Sequence, residues 1–429
     1  MTDPASPERP AAGLSRRGLL GLALGAGAAG VAVGVGATAA VARVSDAQAA
    51  PRADTQPFFG EHQSGITTEV QDHLHFAAFD VSDTTTREEL VELLQDWSYA
   101  ASRMMLGLEV SASGAVGGSP EAPPDDTGEA LGLPASNLTI TFGFGPTLFR
   151  SADGVDRFGI AAGAPEVLAP LPPFLGDDLD PDHTGGDLCV QACADDPQVA
   201  VHAVRNLSRI AFGRARLRWS QLGFGRTSRT SAQQQTPRNL FGFKDGTANL
   251  LATDEEALAE HVWVSAEDGP AWLAGGSYLV ARKIAMKIET WDRVRLSEQE
   301  TITGRAKGSG APLSGGDEFT APDFAALSAS GGTAIDPASH VARAHPDHNG
   351  GIRMLRRGYN YVDGNTALGR LDAGLFFLGY VRSPERFITV QKSVATDLMM
   401  EYLLTIGSGI WAIPPAPSDG SFVGAGLFS

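Results

Sequence analysis

The order in which strand-like and helix-like stretches follow one another constrains this chain more than any single motif, because the same order recurs in its two halves. In the first half His73 to Val81 alternates as a strand, with Leu74, Phe76, Ala78 and Asp80 on one side and His73, His75, Ala77 and Phe79 on the other. A helix follows from about Thr86, where Leu90, Leu93, Leu94, Trp97, Ala101 and Met104 recur at helical intervals. Thr85 and Glu88 have capping-box spacing. Asn137 to Phe142 and Asp187 to Ala194 are strand-like, Pro197 to Phe212 is helical, and Arg216 to Phe224 closes as a strand. The polar stretch Gly225 to Asn239 reads as a linker.

In the second half Ser277 to Ile288 is a long strand and Leu296 to Arg305 a helix. A Gly-, Pro- and Asp-rich insertion runs to about Asp336, Ile352 to Val362 and Gly374 to Val381 are strands, and Gln391 to Ile406 is a helix. Two βαββαβ-like halves imply an α+β chain, a duplicated ferredoxin-like fold with helices backing antiparallel sheets. The duplication rests on element order, since no residue-level repeat accompanies it. A chain of 429 residues has room for two such domains, placed at residues 50–235 and 236–429 behind an N-terminal segment, residues 1–49.

That segment reads as a targeting signal. Ser15-Arg16-Arg17-Gly18-Leu19-Leu20 precedes Gly/Ala/Val-rich sequence to Val41, and Ala47-Gln48-Ala49 fits a small-residue cleavage site that would leave Ala50 first. The paired arginines resemble a twin-arginine export signal, with Leu19 where an aromatic is usual. The alternative is a retained membrane anchor, for which the Gly and Ala content is weakly hydrophobic. The expectation is a protein exported by the twin-arginine translocase, a route for folded, often cofactor-loaded proteins, to the exterior or the cell envelope or periplasm. A net charge of −17 repels phosphate backbones and argues against nucleic acid as a partner. The two cysteines, Cys189 and Cys193, fall four apart on one strand, ~13 Å from each other and too far to bridge. They read as buried free thiols on one face, the alternative being a redox or metal role.

The chemistry concentrates in Gly242-Phe243-Lys244-Asp245-Gly246 and in the run from His340 to Gly358, which ends Leu355-Arg356-Arg357-Gly358. Together they supply an imidazole, a carboxylate and a guanidinium. An imidazole is a common axial ligand of haem iron. A carboxylate can move a peroxide proton, and a permanently charged arginine can stabilise charge as an O–O bond breaks. The set suits a haem that binds and splits hydrogen peroxide. Taken alone, His340, His345 and His348 could instead form a non-haem metal site, and Asp245 could be a plain turn residue, because Asp-Gly is also a turn signal.

These segments, with Thr247-Ala248-Asn249, Ser277-Tyr-Leu-Val280, Lys287-Ile-Glu-Thr-Trp-Asp292, Ser339-His-Val341 and Gly407-Ser-Gly409, resemble the dye-decolorising peroxidases, particularly their exported, twin-arginine-dependent branch. The resemblance runs from about His62 to Pro415. It implies one haem b per chain, with His340 as the proximal iron ligand, Asp245 as the distal acid and Arg356 as the distal arginine. Gly246, Thr247 and Ala248 would line the haem edge, glycine permitting close approach of the macrocycle. Arg305 would pair with a propionate, His345, Pro346 and Asp347 would touch the haem, and His348 would be a solvated loop residue. Leu375 and Phe377 would wall the peroxide pocket. Of the adjacent arginines only one can face the iron, because a strand sends neighbours to opposite sides, and Arg356 is the one that matches. Asp397 is the candidate partner for the His340 ring N–H, although helical periodicity turns it away from the Val394/Leu398/Tyr402 stripe. Arg343 stands one residue from the place where the family often has an arginine, which leaves its role open. The implied activity is reduction of hydrogen peroxide through an oxoferryl intermediate with oxidation of an organic donor, dye-like or phenolic, or of a redox protein. The alternative is an exported haem-binding, iron-releasing protein of the deferrochelatase kind.

Overall fold

The computed structural model describes residues 54–429, so the export signal read at residues 1–49 lies outside the described residues. In the first half, β1 (His73–Val81), β2 (Thr139–Phe144), β3 (Leu188–Ala194) and β4 (Ala215–Arg226) pair in the order β2-β3-β1-β4. In the second, β5 (Ser277–Met286), β7 (Tyr359–Asn365), β8 (Leu371–Val381) and β9 (Leu403–Ile413) pair in the order β7-β8-β5-β9, and the two-residue β6 (Leu355–Arg356) adds to β8. Numbered within its own half, each sheet therefore runs second-third-first-fourth, and every pairing is antiparallel. Helices follow the first and third strands of each half: α1 (Arg87–Met104), α2 (Pro197–Ile210), α3 (Leu296–Thr303) with the short α4 (His340–Ala344), and α5 (Pro384–Val394). This is the duplicated ferredoxin-like order.

The two sheets meet edge to edge through Phe144–Ala412 and through Phe224–Asn360 and Arg226–Tyr359. Their inner faces share one core. Phe76 and Trp219 from the first half pack on Phe376 and Trp411 from the second, with Phe76 lying 5.3 Å from Phe376 and 5.4 Å from Trp411. Alternation sends Ala77 and Phe79 to the opposite face, where Leu90, Leu93, Leu94 and Trp97 of α1 and Val199, Ala203 and Leu207 of α2 cover them. Cys189 and Cys193 are buried free thiols in the inner core.

Three local readings change. The capping box of α1 is Thr86 with Glu89, one residue later than Thr85 with Glu88. Thr86 has the extended backbone that a cap needs, and the Thr85 hydroxyl donates to the Arg214 carbonyl at 2.7 Å. The strand expected over Ile352 to Val362 is split into β6 and β7. The helix expected over Gln391 to Ile406 ends at Val394; a 3₁₀ turn spans Leu398–Tyr402, and Leu403 onward is β9. Gly407 and Gly409 hide that strand from a propensity reading. A Cβ on Gly407 would sit 2.6 Å from the His183 carbonyl oxygen, and one on Gly409 would meet the Trp411 ring, so close approach demands glycine inside a well-paired strand.

One half-buried group on β1 is expected to make stability depend on pH. The His75 Nδ1 has no hydrogen-bond partner among the described residues, and burial pushes its pKa down to about 4. The unfolded chain takes up this proton near ~6.5 and the folded chain near the lower value. Stability is therefore complete above the unfolded pKa and declines as pH falls toward the folded one, by up to about 3 kcal/mol. His75→Leu is expected to remove that decline. Urea midpoints of both proteins between pH 7 and pH 4 check this, and equal slopes would refute it.

Candidate active site

His340 is the first residue of α4, whose cap Ser339 accepts a hydrogen bond from the Ala342 N–H. The ring Nδ1 lies 2.6 Å from Asp397 Oδ2. Asp397 caps the 3₁₀ turn, its Oδ1 accepting from the Met399 and Met400 N–H groups at 2.9 and 3.1 Å. Helical periodicity turned Asp397 away from the site, but the helix ends before it, and the cap aims the carboxylate at His340. The Asp397 side chain is 1% exposed and the His340 side chain 38%. With Nδ1–H donating to the carboxylate, the Nε2 lone pair is left free, and Nε2 has no partner among the described residues. Burial lowers the affinity of this ring for a second proton, but the charge and hydrogen bond of Asp397 outweigh it and raise its pKa above the ordinary histidine value.

The second motif folds as a tight hairpin. Arg238 and Lys244 bridge its ends, Asn239 N–H donates to the Phe243 carbonyl at 3.1 Å, and Gly242 takes a left-handed φ of +81°. Asp245 follows, and Gly246 turns the chain with φ +89°. Asp245 thus is both turn residue and functional candidate. Gly246 also meets the chain's own backbone: a Cβ there would lie 2.7 Å from Ser228 Cα, so that approach requires glycine.

Asp245 Oδ1 accepts from Arg356 Nη1 at 3.0 Å, and Oδ2 accepts from Asn239 Nδ2 at 3.2 Å. Arg356 on β6 is held by its main chain. Its N–H donates to Asn249 Oδ1 at 2.8 Å, and its carbonyl accepts from Asn249 Nδ2 at 2.9 Å. Arg357 points the other way. It is fully buried and donates to the Thr68 and Glu69 carbonyls and to Gln71 Oε1, tying the early chain to the core. The charges of Asp245 and Arg356 both act on the His340 ring, so the three groups lie near one another.

The remaining candidates distribute around them. Arg305 is buried, donates through Nη1 to the Gly310 and Glu318 carbonyls at 2.7 and 2.8 Å, and feels the charge of Arg356. The Thr247 hydroxyl donates to Glu318 Oε1 at 3.3 Å, Lys244 pairs with the same carboxylate, and Ala248 is exposed. His345 precedes the 3₁₀ turn Pro346–His348, accepts from the Asp347 N–H, and packs edge-on to Phe324. Asp347 and His348 are exposed, and His348 Nδ1 reaches the Ala342 carbonyl at 2.7 Å. The three imidazoles do not converge, and no group of three such ligands among the described residues could hold a metal ion. Leu375 and Phe377 are half-buried on the same face of β8. Leu375 packs on the cluster of Phe241, Phe243 and Trp291, and Phe377 on Phe387. Asn239 and Asn249 were not singled out from sequence, although Asn249 closes the motif segment itself and could have been tested as a clamp.

The donor set fits an iron porphyrin. It offers an imidazole nitrogen without a protein partner, backed by a carboxylate. The buried Nε of Arg343, one turn after His340, has no partner either and suits an anionic substituent. Such an imidazole, facing an arginine–carboxylate pair, defines a haem peroxidase. Residues 63–225 match the Dyp-type peroxidase N-terminal family model and residues 236–418 the C-terminal one, and the chain belongs to that family. The deferrochelatase of Escherichia coli (strain K12) is 37% identical over 403 residues, covering 90% of this chain and 92% of that protein. DtpA from Streptomyces lividans, solved as an oxyferrous/water mixed complex, is 38% identical with a TM-score of 0.79, covering 87% of this chain and 98% of that one. The DyP-type peroxidase from Cellulomonas bogoriensis is 35% identical with a TM-score of 0.77, covering 89% and 100%. The family binds haem b, and the chain is a haem peroxidase with hydrogen peroxide and an electron donor as its reactants.

Proposed function

We propose that this protein uses the Asp245–Arg356 pair, set opposite His340, to turn hydrogen peroxide into an oxidant for a bulky organic donor, dye-like or phenolic, or for a redox protein. The observation that carries the reading is the 3.0 Å contact between the Arg356 guanidinium and a carboxylate whose charge also acts on His340. His340 would bind the iron through Nε2, and Asp397 would hold the ring and enrich its electron density. Arg305 and Arg343 would hold the propionates, while Leu375 and Phe377 would wall the peroxide side. When bound, haem supplies the redox equivalents that peroxide reduction needs. The protein's own part is proton traffic and charge. Asp245 takes the proton from one peroxide oxygen and returns it to the other, and Arg356 stabilises the negative charge that grows as the O–O bond lengthens. Donor oxidation by purified holoprotein, measured with and without peroxide, tests this; haem binding without peroxide-dependent turnover would sink it.

The second reading, iron release from haem, is favoured by relatives that are named deferrochelatase at 37% identity. It predicts free iron and intact, metal-free protoporphyrin from haem-loaded protein without peroxide, two protons replacing the metal. Chelator absorbance and porphyrin fluorescence distinguish it from turnover.

Export by the twin-arginine route belongs to the same proposal and is supported by Ser15-Arg16-Arg17 ahead of the Gly/Ala-rich stretch. Changing Arg16 and Arg17 together to lysine is expected to hold the protein in the cytoplasm, because a receptor reads the pair. Cell fractionation and immunoblotting check this, and normal secretion of the double variant would indicate another route.

A further inference from the structure

The two oxygens of Asp245 have different partners. Oδ1 accepts from Arg356 Nη1, and Oδ2 accepts from Asn239 Nδ2. Asn239 cannot turn over. Its Oδ1 accepts from the Phe241 N–H at 3.1 Å, so a flipped carboxamide would set donor against donor there and oxygen against the Asp245 carboxylate. Its backbone is locked as well, the N–H donating to the Phe243 carbonyl at 3.1 Å and the carbonyl accepting from the Gly242 N–H at 2.9 Å. The Arg356 guanidinium, by contrast, ends a long side chain that is 29% exposed. One oxygen of Asp245 is thus fixed to a rigid hairpin, and the other is shared with a group that can move to a substrate.

We infer that Asn239 is a positioning residue for peroxide reduction: it anchors Oδ2 of Asp245 and makes Oδ1, the oxygen next to Arg356, the one that exchanges the proton. The inference rests on Asp245 carrying that proton. The step moves one proton from one peroxide oxygen to Asp245 Oδ1 and then to the other, which leaves as water with the O–O electron pair; haem, when bound, would supply the two electrons that the remaining oxygen requires, and Asp245 ends unchanged. An anchored carboxylate keeps its reacting oxygen within the narrow geometry that proton transfer needs. A donated hydrogen bond also favours the ionised form, which is the base. The charges near Asp245 are Arg356 on its Oδ1 and the His340 ring, which senses the Asp245 charge. Lys244, its neighbour in the chain, is paired with Glu318, and Arg238 is engaged by the Gly242, Lys307 and Gly308 carbonyls.

The test uses haem-loaded wild-type, Asn239→Ala, Asn239→Asp and Asp245→Ala proteins. Two pH profiles are measured: the rate of the peroxide-driven Soret change, and the equilibrium binding of cyanide, which must lose a proton to bind. Both Asn239 variants are expected to keep the wild-type Soret position and thermal midpoint. In Asn239→Ala the alkaline-rising limb should move to higher pH in both profiles, with the rate roughly 10- to 100-fold below wild type on the acid side and recovering above the limb. In Asn239→Asp, where a second carboxylate opposes ionisation, the limb should move further. An unmoved limb, or a loss equal at all pH values, overturns the inference and leaves Asn239 as a hairpin residue. If Asp245→Ala keeps the wild-type limb, the reading of Asp245 fails and this inference falls with it.

Discussion

His340→Ala is expected to purify without stably bound haem. The proposed iron ligand is Nε2 of His340, whose ring is fixed by the 2.6 Å contact to a nearly inaccessible Asp397. The other two imidazoles of the segment are held elsewhere. His345 Nδ1 accepts from the Asp347 N–H, His348 Nδ1 contacts the Ala342 carbonyl, and both rings lie against Phe324. Neither could replace His340 as the iron ligand without dismantling the turn that it stabilises. Soret absorbance per chain, together with the rate of haem loss to an apoglobin acceptor, measures the effect. A variant with a normal Soret band and wild-type turnover would remove His340 from the mechanism and bring His345 forward. Asp397→Asn is the graded companion. It keeps a hydrogen-bonding group of the same size but loses the charge, so haem should remain while affinity or activity falls roughly 10- to 100-fold, the usual effect of removing a partner behind a ligating histidine.

What the sequence revealed of this site follows from what local patterns encode. Alternation along a strand separates Arg356 from Arg357, and the structure gives the first to Asp245 and the second to the buried carbonyls of Thr68 and Glu69. Element order was also readable, because hydrophobic periodicity marks most strands and helices of both halves. The failures cluster where tertiary contact overrides periodicity. β9 carries glycines that pack against His183 and Trp411, and those contacts are invisible along the chain. Extending a helical pattern through that region turned Asp397 away from His340, whereas the real helix stops at Val394 and frees Asp397 to cap a turn. The approach of Ser228 to Gly246, from another segment of the chain, is equally invisible along the sequence. Asn249 escaped for the same reason, since its carboxamide clamps the main chain of Arg356, 107 residues away; Asn239 reaches a carboxylate six residues on, a hairpin contact that has no spacing signature.

Asp245→Ala and Arg356→Leu should both retain haem, because neither side chain supplies a ligand, and both should slow the peroxide-driven Soret change in ways that pH separates. Losing positioned proton transfer costs ~10²–10⁴ in rate. Losing a preorganised charge at the breaking bond costs ~10²–10³. Magnitude alone therefore does not distinguish the two roles. In Asp245→Ala the proton acceptor is gone, so any limb of the rate profile set by its ionisation should vanish and leave a flat, slow rate. In Arg356→Leu the acceptor remains but loses the cation 3.0 Å from its Oδ1. That limb should therefore persist. The main chain of residue 356 is held by Asn249 whatever the side chain, so the leucine variant should keep the local fold and report on charge alone. Stopped-flow mixing with peroxide across the acid range reads all three proteins. If Asp245→Ala reacts as fast as wild type with the same limb, Asp245 is a turn residue only, and Arg356 must act with solvent to break the O–O bond.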